Sequence, residues 1–246
     1  AAVLKYRMPN GHPEVPLDDV EQALRIMMGL EAGATGFTAG KVGIVGSSAG
    51  GHLAASASTL AETKPAFSIL FYPVITAEKG KGHQGSFNAL LGGSRNAESD
   101  TWYSLQNRVT AQTPPTLLLL SDDDKVVPPV NGILYYNALK EHGVKASMHI
   151  YPTGGHGWGI RDRFKYKEQW QQATLDWLKE LNDNRNTASV LLRQPGLPGC
   201  VDVGIRPATS RKSAGRELAE AAVQAAVQEF GQQVRSRRES DWPAGQ

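Results

Sequence analysis

The sequence predicts an α/β fold in which a mostly parallel sheet is flanked by helices on both faces. Candidate strands and helices alternate along the first 181 residues, and this alternation is typical of parallel strands joined by helical crossovers. The run 116–120 is continuously apolar, as in strands that are buried on both faces. With 40% hydrophobic and 20% charged residues, the 246-residue chain also has the composition of a globular protein.

The first part of the chain contains three strand candidates and two helix candidates. Residues 2–7 form a short strand candidate that is ended by the turn-forming run 9–13. Asp18 and Asp19 are expected to cap the next helix, in which apolar residues recur at helical spacing. The strand, helix and strand that follow are predicted at 41–45, 53–60 and 67–72.

The second part continues the same alternation. The strand at 116–120 is followed by a helix candidate at 129–139, which begins at a proline and precedes Gly143. Residues 145–151 predict the last strand. Residues 166–181 predict a helix whose apolar side chains lie mostly on one face.

The uneven distribution of charge predicts a domain boundary. The net charge is +2, but residues 185–246 hold nine basic and six acidic residues, and eight of those basic residues are arginine. We therefore expect a body at 1–184 and an Arg-rich, helical or disordered tail at 185–246. Residues 185–212 are expected to be irregular, and an amphipathic helix is predicted at 214–234. That helix has three interpretations: it docks on a sheet edge, binds a partner, or has no selected role.

Composition and motifs argue against several partners and cofactors. The balanced charge gives no indication of nucleic acid or a membrane as partner, and no apolar run approaches the roughly 18 residues of a spanning helix. Cys200 is the single cysteine, so it forms no internal disulfide. No histidine pair has zinc-ligand spacing and no phosphate-binding loop occurs. We expect no metal and no cofactor, while compartment and oligomeric state stay open.

A candidate nucleophile lies between the second strand and the second helix. Residues 46–50 read Gly-Ser-Ser-Ala-Gly, the G-x-S-x-G pattern of a nucleophile on a tight strand-to-helix turn. Gly46 and Gly50 have no Cβ atom, and we expect that a Cβ at either position would clash in so tight a turn. Ser48 is then exposed above the sheet, and the amide of Ala49 is placed to stabilise a developing oxyanion. A Gly-Ser turn without chemistry is the alternative.

A serine nucleophile requires a base and an acid that orients the base. Three aspartates, Asp122 to Asp124, follow the buried strand, and any one of them can be the acid. His156 lies among four glycines after the last strand, which suits a base that reaches across to the serine. The chain order Ser, Asp, His is the order of α/β-hydrolases. The other five histidines are expected to be structural.

These motifs resemble those of α/β-hydrolases in the acetylesterase and acetyl-xylan-esterase-like group. The resemblance covers about residues 2–181 and rests on four runs. It implies that Ser48 is the nucleophile, Asp124 the acid, His156 the base and Ala49 an oxyanion donor. The implied reaction is cofactor-free hydrolysis of a small-molecule ester or an acetylated saccharide through an acyl-enzyme. The four runs are Gly46 to Ala54, Tyr72 to Ile75, Thr113 to Thr116 and Gly155 to Gly157.

The chain also departs from this group. Its members carry about three strands and a His-Gly-Gly-rich oxyanion loop upstream of the segment that matches residues 2–7, so the chain is interpreted as N-terminally truncated. Loss of one oxyanion donor typically costs about 100- to 1000-fold in turnover. The strands at 2–7 and 41–45 are then expected to pair directly, recruit another chain or stay poorly ordered. An inactive hydrolase-like chain and a serine peptidase of the same fold remain alternatives.

Overall fold

The computed structural model describes residues 2–29, 41–159 and 161–191. The described residues divide into two compact units. One contains residues 4–29, 41–159 and 163–166 and holds the sheet, and the other contains residues 2–3, 161–162 and 167–191. The predicted helix at 214–234 lies outside the described residues. No described helix is long and apolar enough to cross a membrane.

The sheet has four parallel strands, which are β1 (Ile44–Ser47), β2 (Ser68–Phe71), β3 (Thr116–Ser121) and β4 (Ala146–Tyr151). Their order in the sheet is β1-β2-β3-β4. The inner strand β3 is buried along its whole length, as its apolar sequence predicts. β1 forms one edge of the sheet, and Val45 there is 49% exposed.

Helices connect the strands, and the predicted α/β class is therefore confirmed. Two short helices between β2 and β3 were not expected from the sequence, and short 3-10 turns follow them at Gly92–Ser94 and Leu105–Arg108. The helices are α1 (Glu14–Met27), α2 (Ser48–Thr59), α3 (Gln84–Leu91), α4 (Ala97–Tyr103), α5 (Val130–Glu141) and α6 (Lys167–Leu191).

The main core joins the sheet to α2 and α5. Leu70 of β2 and Leu118 of β3 share one fully buried cluster with Ala54 of α2 and Leu139 of α5. Every residue of α2 from 51 to 58 is buried, and most of these residues are small, which lets the helix lie close to the strands. Burial of this kind fixes the position of α2, and hence of its N-terminus at the end of β1.

Three local expectations were wrong. Residues 2–7 form no strand, because strand propensity is realised only when a neighbouring strand supplies the backbone partners. α1 begins at Glu14 rather than at Asp18 or Asp19, and the carboxylate of Asp19 instead binds the guanidinium of Arg7. α6 continues to Leu191, so residues 185–191 are helical. No glycine or proline interrupts the sequence between 167 and 191.

Candidate active site

Ser48 lies at a sharp turn between β1 and α2. It directly follows the last residue of β1 and is the first residue of α2. Its φ of +54° is in the left-handed region, which few residues other than glycine adopt without strain. The turn is held by the amide of Val74, which donates to the carbonyl of Ser48 over 3.1 Å. The hydroxyl is therefore presented at the carboxyl edge of the sheet.

The glycines around Ser48 have different roles. A Cβ on Gly46 would lie 2.2 Å from the carbonyl oxygen of Gly50, so this position admits no side chain without movement. At Gly50 the expected clash is absent, because a Cβ there would meet no atom within 4 Å. The second close approach is at Gly51, where a Cβ would lie 2.8 Å from Cβ of Pro73. The tight packing thus involves Gly46 and Gly51.

Three side chains from three strand ends form one hydrogen-bonded chain. Nδ1 of His156 lies 2.7 Å from Oδ2 of Asp124, and Nε2 lies 2.8 Å from Oγ of Ser48. Because a carboxylate only accepts hydrogen bonds, Nδ1 carries the proton and Nε2 accepts from the serine hydroxyl. This is the arrangement in which the imidazole can remove the proton of Ser48.

Asp124 is held on both of its carboxylate oxygens. The residue is 4% exposed, and Oδ1 accepts from the amides of Val126 and Val127 at 2.9 Å each. Oδ2 is left to face His156. The other two aspartates of this loop, Asp122 and Asp123, are exposed. Among the described residues, the carboxylate that is hydrogen-bonded to the His156 ring is that of Asp124.

His156 contacts an aromatic cluster through Tyr72. The ring of Tyr72 meets the imidazole edge-on, with 4.8 Å between centroids. Tyr72 also has a positive φ of +34°, and its ring contacts Trp158, whose indole stacks on Phe164 at 4.0 Å. No catalytic role for Tyr72 was predicted from the sequence. Its place directly before Pro73 at the end of a strand was the available signal.

Ala49 is the second residue of α2, in the helix turn where backbone amides have no intrahelical acceptor. It lines a cavity of about 270 Å³ that lies between α1, α2 and α3. The walls of the cavity are mainly apolar, and its lining includes Leu17, Leu53, Val74 and Phe87. The candidate oxyanion donor therefore borders an apolar space large enough for part of a small ligand.

His52 has a structural environment, as expected. It is 6% exposed, and its Nε2–H donates to the carbonyl of Tyr103 over 2.9 Å. Burial lowers the pKa of His52 to about 4, since the charged imidazolium loses its hydration there. His83 caps α3 by accepting from the amide of Ser86. Within the described residues, no cluster of His, Cys, Asp or Glu could hold a metal ion.

Comparison with known proteins identifies the family. The model of the prolyl oligopeptidase family matches residues 15–185, which is more than half of the chain. The chain belongs to this family. The match spans the stretch that carries Ser48, Asp124 and His156.

The chain is also similar to proteins that are named for ester and xylan hydrolysis. The chain is 42% identical over 185 residues to an acetylxylan esterase from Xylanibacter ruminicola, covering 73% of this chain and 38% of that protein. It is 32% identical over 155 residues to endo-1,4-beta-xylanase B from Butyrivibrio fibrisolvens, covering 58% and 24%. The resemblance to acetyl-xylan-esterase-like α/β-hydrolases is confirmed.

A solved structure gives the same picture for the fold. The chain matches the acetyl ester-xyloside bifunctional hydrolase from Caldicellulosiruptor lactoaceticus with a TM-score of 0.66 and 33% identity. The match covers 73% of this chain and 71% of that one. The α/β-hydrolase fold is therefore shared. The chain spans well under half the length of the two curated relatives.

Proposed function

We propose that this chain is a serine carboxylic-ester hydrolase that removes acetyl and other small acyl groups from carbohydrates through an acyl-enzyme. The observation that carries the proposal is the uninterrupted hydrogen-bonded chain from Ser48 through His156 to Asp124. Ser48 lies in a left-handed turn and is hydrogen-bonded to a histidine that a buried carboxylate orients. This is the geometry of an activated nucleophile.

In the first half-reaction, Oγ of Ser48 attacks the ester carbonyl while Nε2 of His156 takes the hydroxyl proton. The imidazolium that forms is stabilised by Asp124, which lies 2.7 Å from Nδ1. His156 then gives the proton to the departing alcohol, which leaves Ser48 acylated. In the second half-reaction, a water molecule deprotonated by His156 attacks the acyl-enzyme, and the acid is released with Ser48 restored.

The tetrahedral intermediates carry a negative oxygen that requires hydrogen-bond donors. The amide of Ala49 is in the first turn of α2, where the helix N-terminus favours negative charge. We assign one donation to the oxyanion to this amide. A single donor of this kind contributes roughly 100- to 1000-fold to turnover. The amide of Ala49 acts on the rates of acylation and deacylation rather than on binding of the ester, because the negative oxygen forms only during the two reactions.

The substrate class rests on the relatives and on the cavity. Two of the similar proteins are named for acetyl esters, one as an acetylxylan esterase and one as an acetyl ester-xyloside hydrolase. The cavity beside Ala49 is mainly apolar, so it suits the acyl part of an ester better than the hydroxyl-rich sugar. Its volume of about 270 Å³ also leaves room for acyl groups longer than acetyl.

The second candidate function is peptide hydrolysis, which the name of the matching family favours. Both reactions use the same three side chains, so the triad does not separate them. The two reactions differ in the leaving group. An amine leaves less readily than an alcohol, so peptide hydrolysis depends more strongly on protonation of the leaving group by His156.

A substrate panel tests the proposal. The purified chain is incubated with acetylated xylo-oligosaccharides, p-nitrophenyl acetate, p-nitrophenyl butyrate and prolyl and alanyl p-nitroanilides. We expect acetate release from the saccharides, hydrolysis of both p-nitrophenyl esters and no anilide cleavage. The Ser48→Ala variant should lose all three ester activities, whereas the Ser47→Ala variant keeps them. Anilide cleavage that exceeds ester cleavage would favour the peptidase, and saccharide cleavage that survives in Ser48→Ala would refute the proposal.

A further inference from the structure

The loop that carries His156 is built from residues with little conformational preference. Gly154, Gly155, Gly157 and Gly159 all have positive φ values, between +42° and +149°. Glycine loses more backbone entropy on ordering than any other residue. A base on such a loop reaches its serine reproducibly only if other groups hold the loop in place.

One interaction that holds this loop involves Asp123, which is adjacent to the proposed acid Asp124. Oδ1 of Asp123 accepts from the amide of Gly155 over 2.8 Å, across a separation of 32 residues. This amide is the main reason that the pKa of Asp123 lies below its usual range, with the amide of Gly154 and the charge of Lys125 as smaller contributions. The bond therefore favours the ionised carboxylate, as a charge-assisted hydrogen bond does.

The two adjacent aspartates hold two adjacent residues of the loop. Asp124 binds the side chain of His156, and Asp123 binds the backbone amide of the residue before it. The close packing of Gly154 adds to this alignment, because a Cβ there would lie 2.7 Å from Oγ of Ser121 at the end of β3. The loop after β4 is thus held at the end of β3 by the backbone amide of Gly155 as well as by the imidazole of His156.

We propose that Asp123 is a positioning residue, whose carboxylate fixes the His156 loop through the amide of Gly155 so that the imidazole stays between Ser48 and Asp124. This inference rests on the proposed function for its catalytic consequence. Its structural part, the hold on the loop, is independent of any activity. Asp123 is exposed, so it is not required to fill the core.

Two substitutions separate the acceptor from the charge. Asp123→Ala removes the acceptor, whereas Asp123→Asn keeps an oxygen at the same place without the negative charge. Asp122→Ala is the matched control, because Asp122 is also exposed and directly precedes Asp123 in the same loop. Both positions are at the surface, where substitutions usually change stability little.

The experiment measures hydrogen exchange in the peptide that spans residues 153–158, together with kcat and KM for p-nitrophenyl acetate. In Asp123→Ala we expect exchange to rise about fivefold, since the Gly155 amide loses its acceptor. We expect kcat to fall about tenfold with KM changed less than about twofold, because the base is misplaced while ester binding is not. In Asp123→Asn, exchange and kcat should both lie within about threefold of the wild-type values. Asp122→Ala should have the wild-type values of both.

The outcomes separate this proposal from the proposed function. Wild-type exchange and kcat in Asp123→Ala would overturn the positioning role while leaving the esterase intact. An Asp123→Asn variant as impaired as Asp123→Ala would also overturn it, because the oxygen acceptor would then not be what matters. If the wild-type chain hydrolyses no ester, the proposed function fails, and the exchange measurement still decides whether Asp123 holds the loop.

Discussion

The carboxylate of Asp124 lies 2.7 Å from Nδ1 of His156, with only one of its two oxygens directed at the ring. The other oxygen is occupied by the amides of Val126 and Val127. The two amides therefore fix the plane of the carboxylate independently of its hydrogen bond with His156. The orientation of the imidazole toward Ser48 therefore depends on a local turn directly after β3.

Replacement of Asp124 by Asn should impair catalysis with little loss of stability. The amide oxygen of Asn can still accept from Val126 and Val127, so its NH2 group would face His156 and favour the wrong tautomer. Loss of the correct tautomer in a triad of this kind costs about 10⁴-fold in kcat. The checks are esterase kinetics and thermal unfolding, with Asp122→Asn as control. An Asp124→Asn variant within tenfold of the wild type would contradict the assigned role.

The two glycines of the G-x-S-x-G motif should respond differently to alanine. Gly46→Ala places a Cβ against the backbone of Gly50, so we expect a displaced turn, a lower melting temperature and at least a tenfold loss of activity. Gly50→Ala meets open space within α2 and should stabilise the helix by up to about 1 kcal/mol. Equal effects of the two substitutions on activity would contradict this account of the turn.

The buried His52 should make folding sensitive to acid. Its pKa is lowered by burial from 6.5 to about 4, so between these values the unfolded chain takes up a proton that the folded protein does not. Stability from this group is fully present above pH 6.5 and is lost as the pH falls to 4, by up to about 3 kcal/mol. Urea unfolding at pH 7, 5 and 4 measures the loss.

His52→Gln provides the comparison for that titration. The Gln amide can donate to the Tyr103 carbonyl, as Nε2–H of His52 does, but it does not ionise. We expect the variant to lose less stability than the wild type between pH 7 and pH 4. Parallel losses in the two proteins would show that His52 does not cause the acid sensitivity.

A buried asparagine should be important for stability. Asn131 is 1% exposed, and its Oδ1 accepts from the amides of Ile75 and Thr76. Its Nδ2 donates to the carbonyls of Lys81 and Pro128. Asn131→Ala leaves these groups without that partner and should lower the free energy of unfolding by about 3 kcal/mol or more. The exposed Asn107→Ala is the control and should cost less than about 1 kcal/mol in urea unfolding.

The alternation of strands and helices was predictable because it depends on local apolar runs. β3 is apolar along almost its whole length, and its predicted range at 116–120 differs from the observed strand by one residue. The helices α3 and α4 lacked such a signal. α4 has no buried residue and α3 has two, so neither carries an apolar stripe that a periodicity could detect.

The candidate site was predictable only where its chemistry is local in sequence. The motif around Ser48 and the glycines around His156 are visible in short runs, whereas three aspartates were equivalent until a resemblance favoured Asp124. Contacts such as Gly155 with Asp123 and Tyr72 with His156 join distant segments. They depend on which strand ends meet, which the residue types alone do not specify.

The most direct test of the central claim, that Ser48 is an activated nucleophile, is covalent labelling with a fluorophosphonate probe. The reaction requires a serine whose proton a nearby base removes. We predict a single labelled peptide containing Ser48, with labelling abolished in Ser48→Ala and in His156→Ala and unchanged in Ser47→Ala. Folded protein that takes up no label on Ser48, or labelling that persists in Ser48→Ala, would contradict the account.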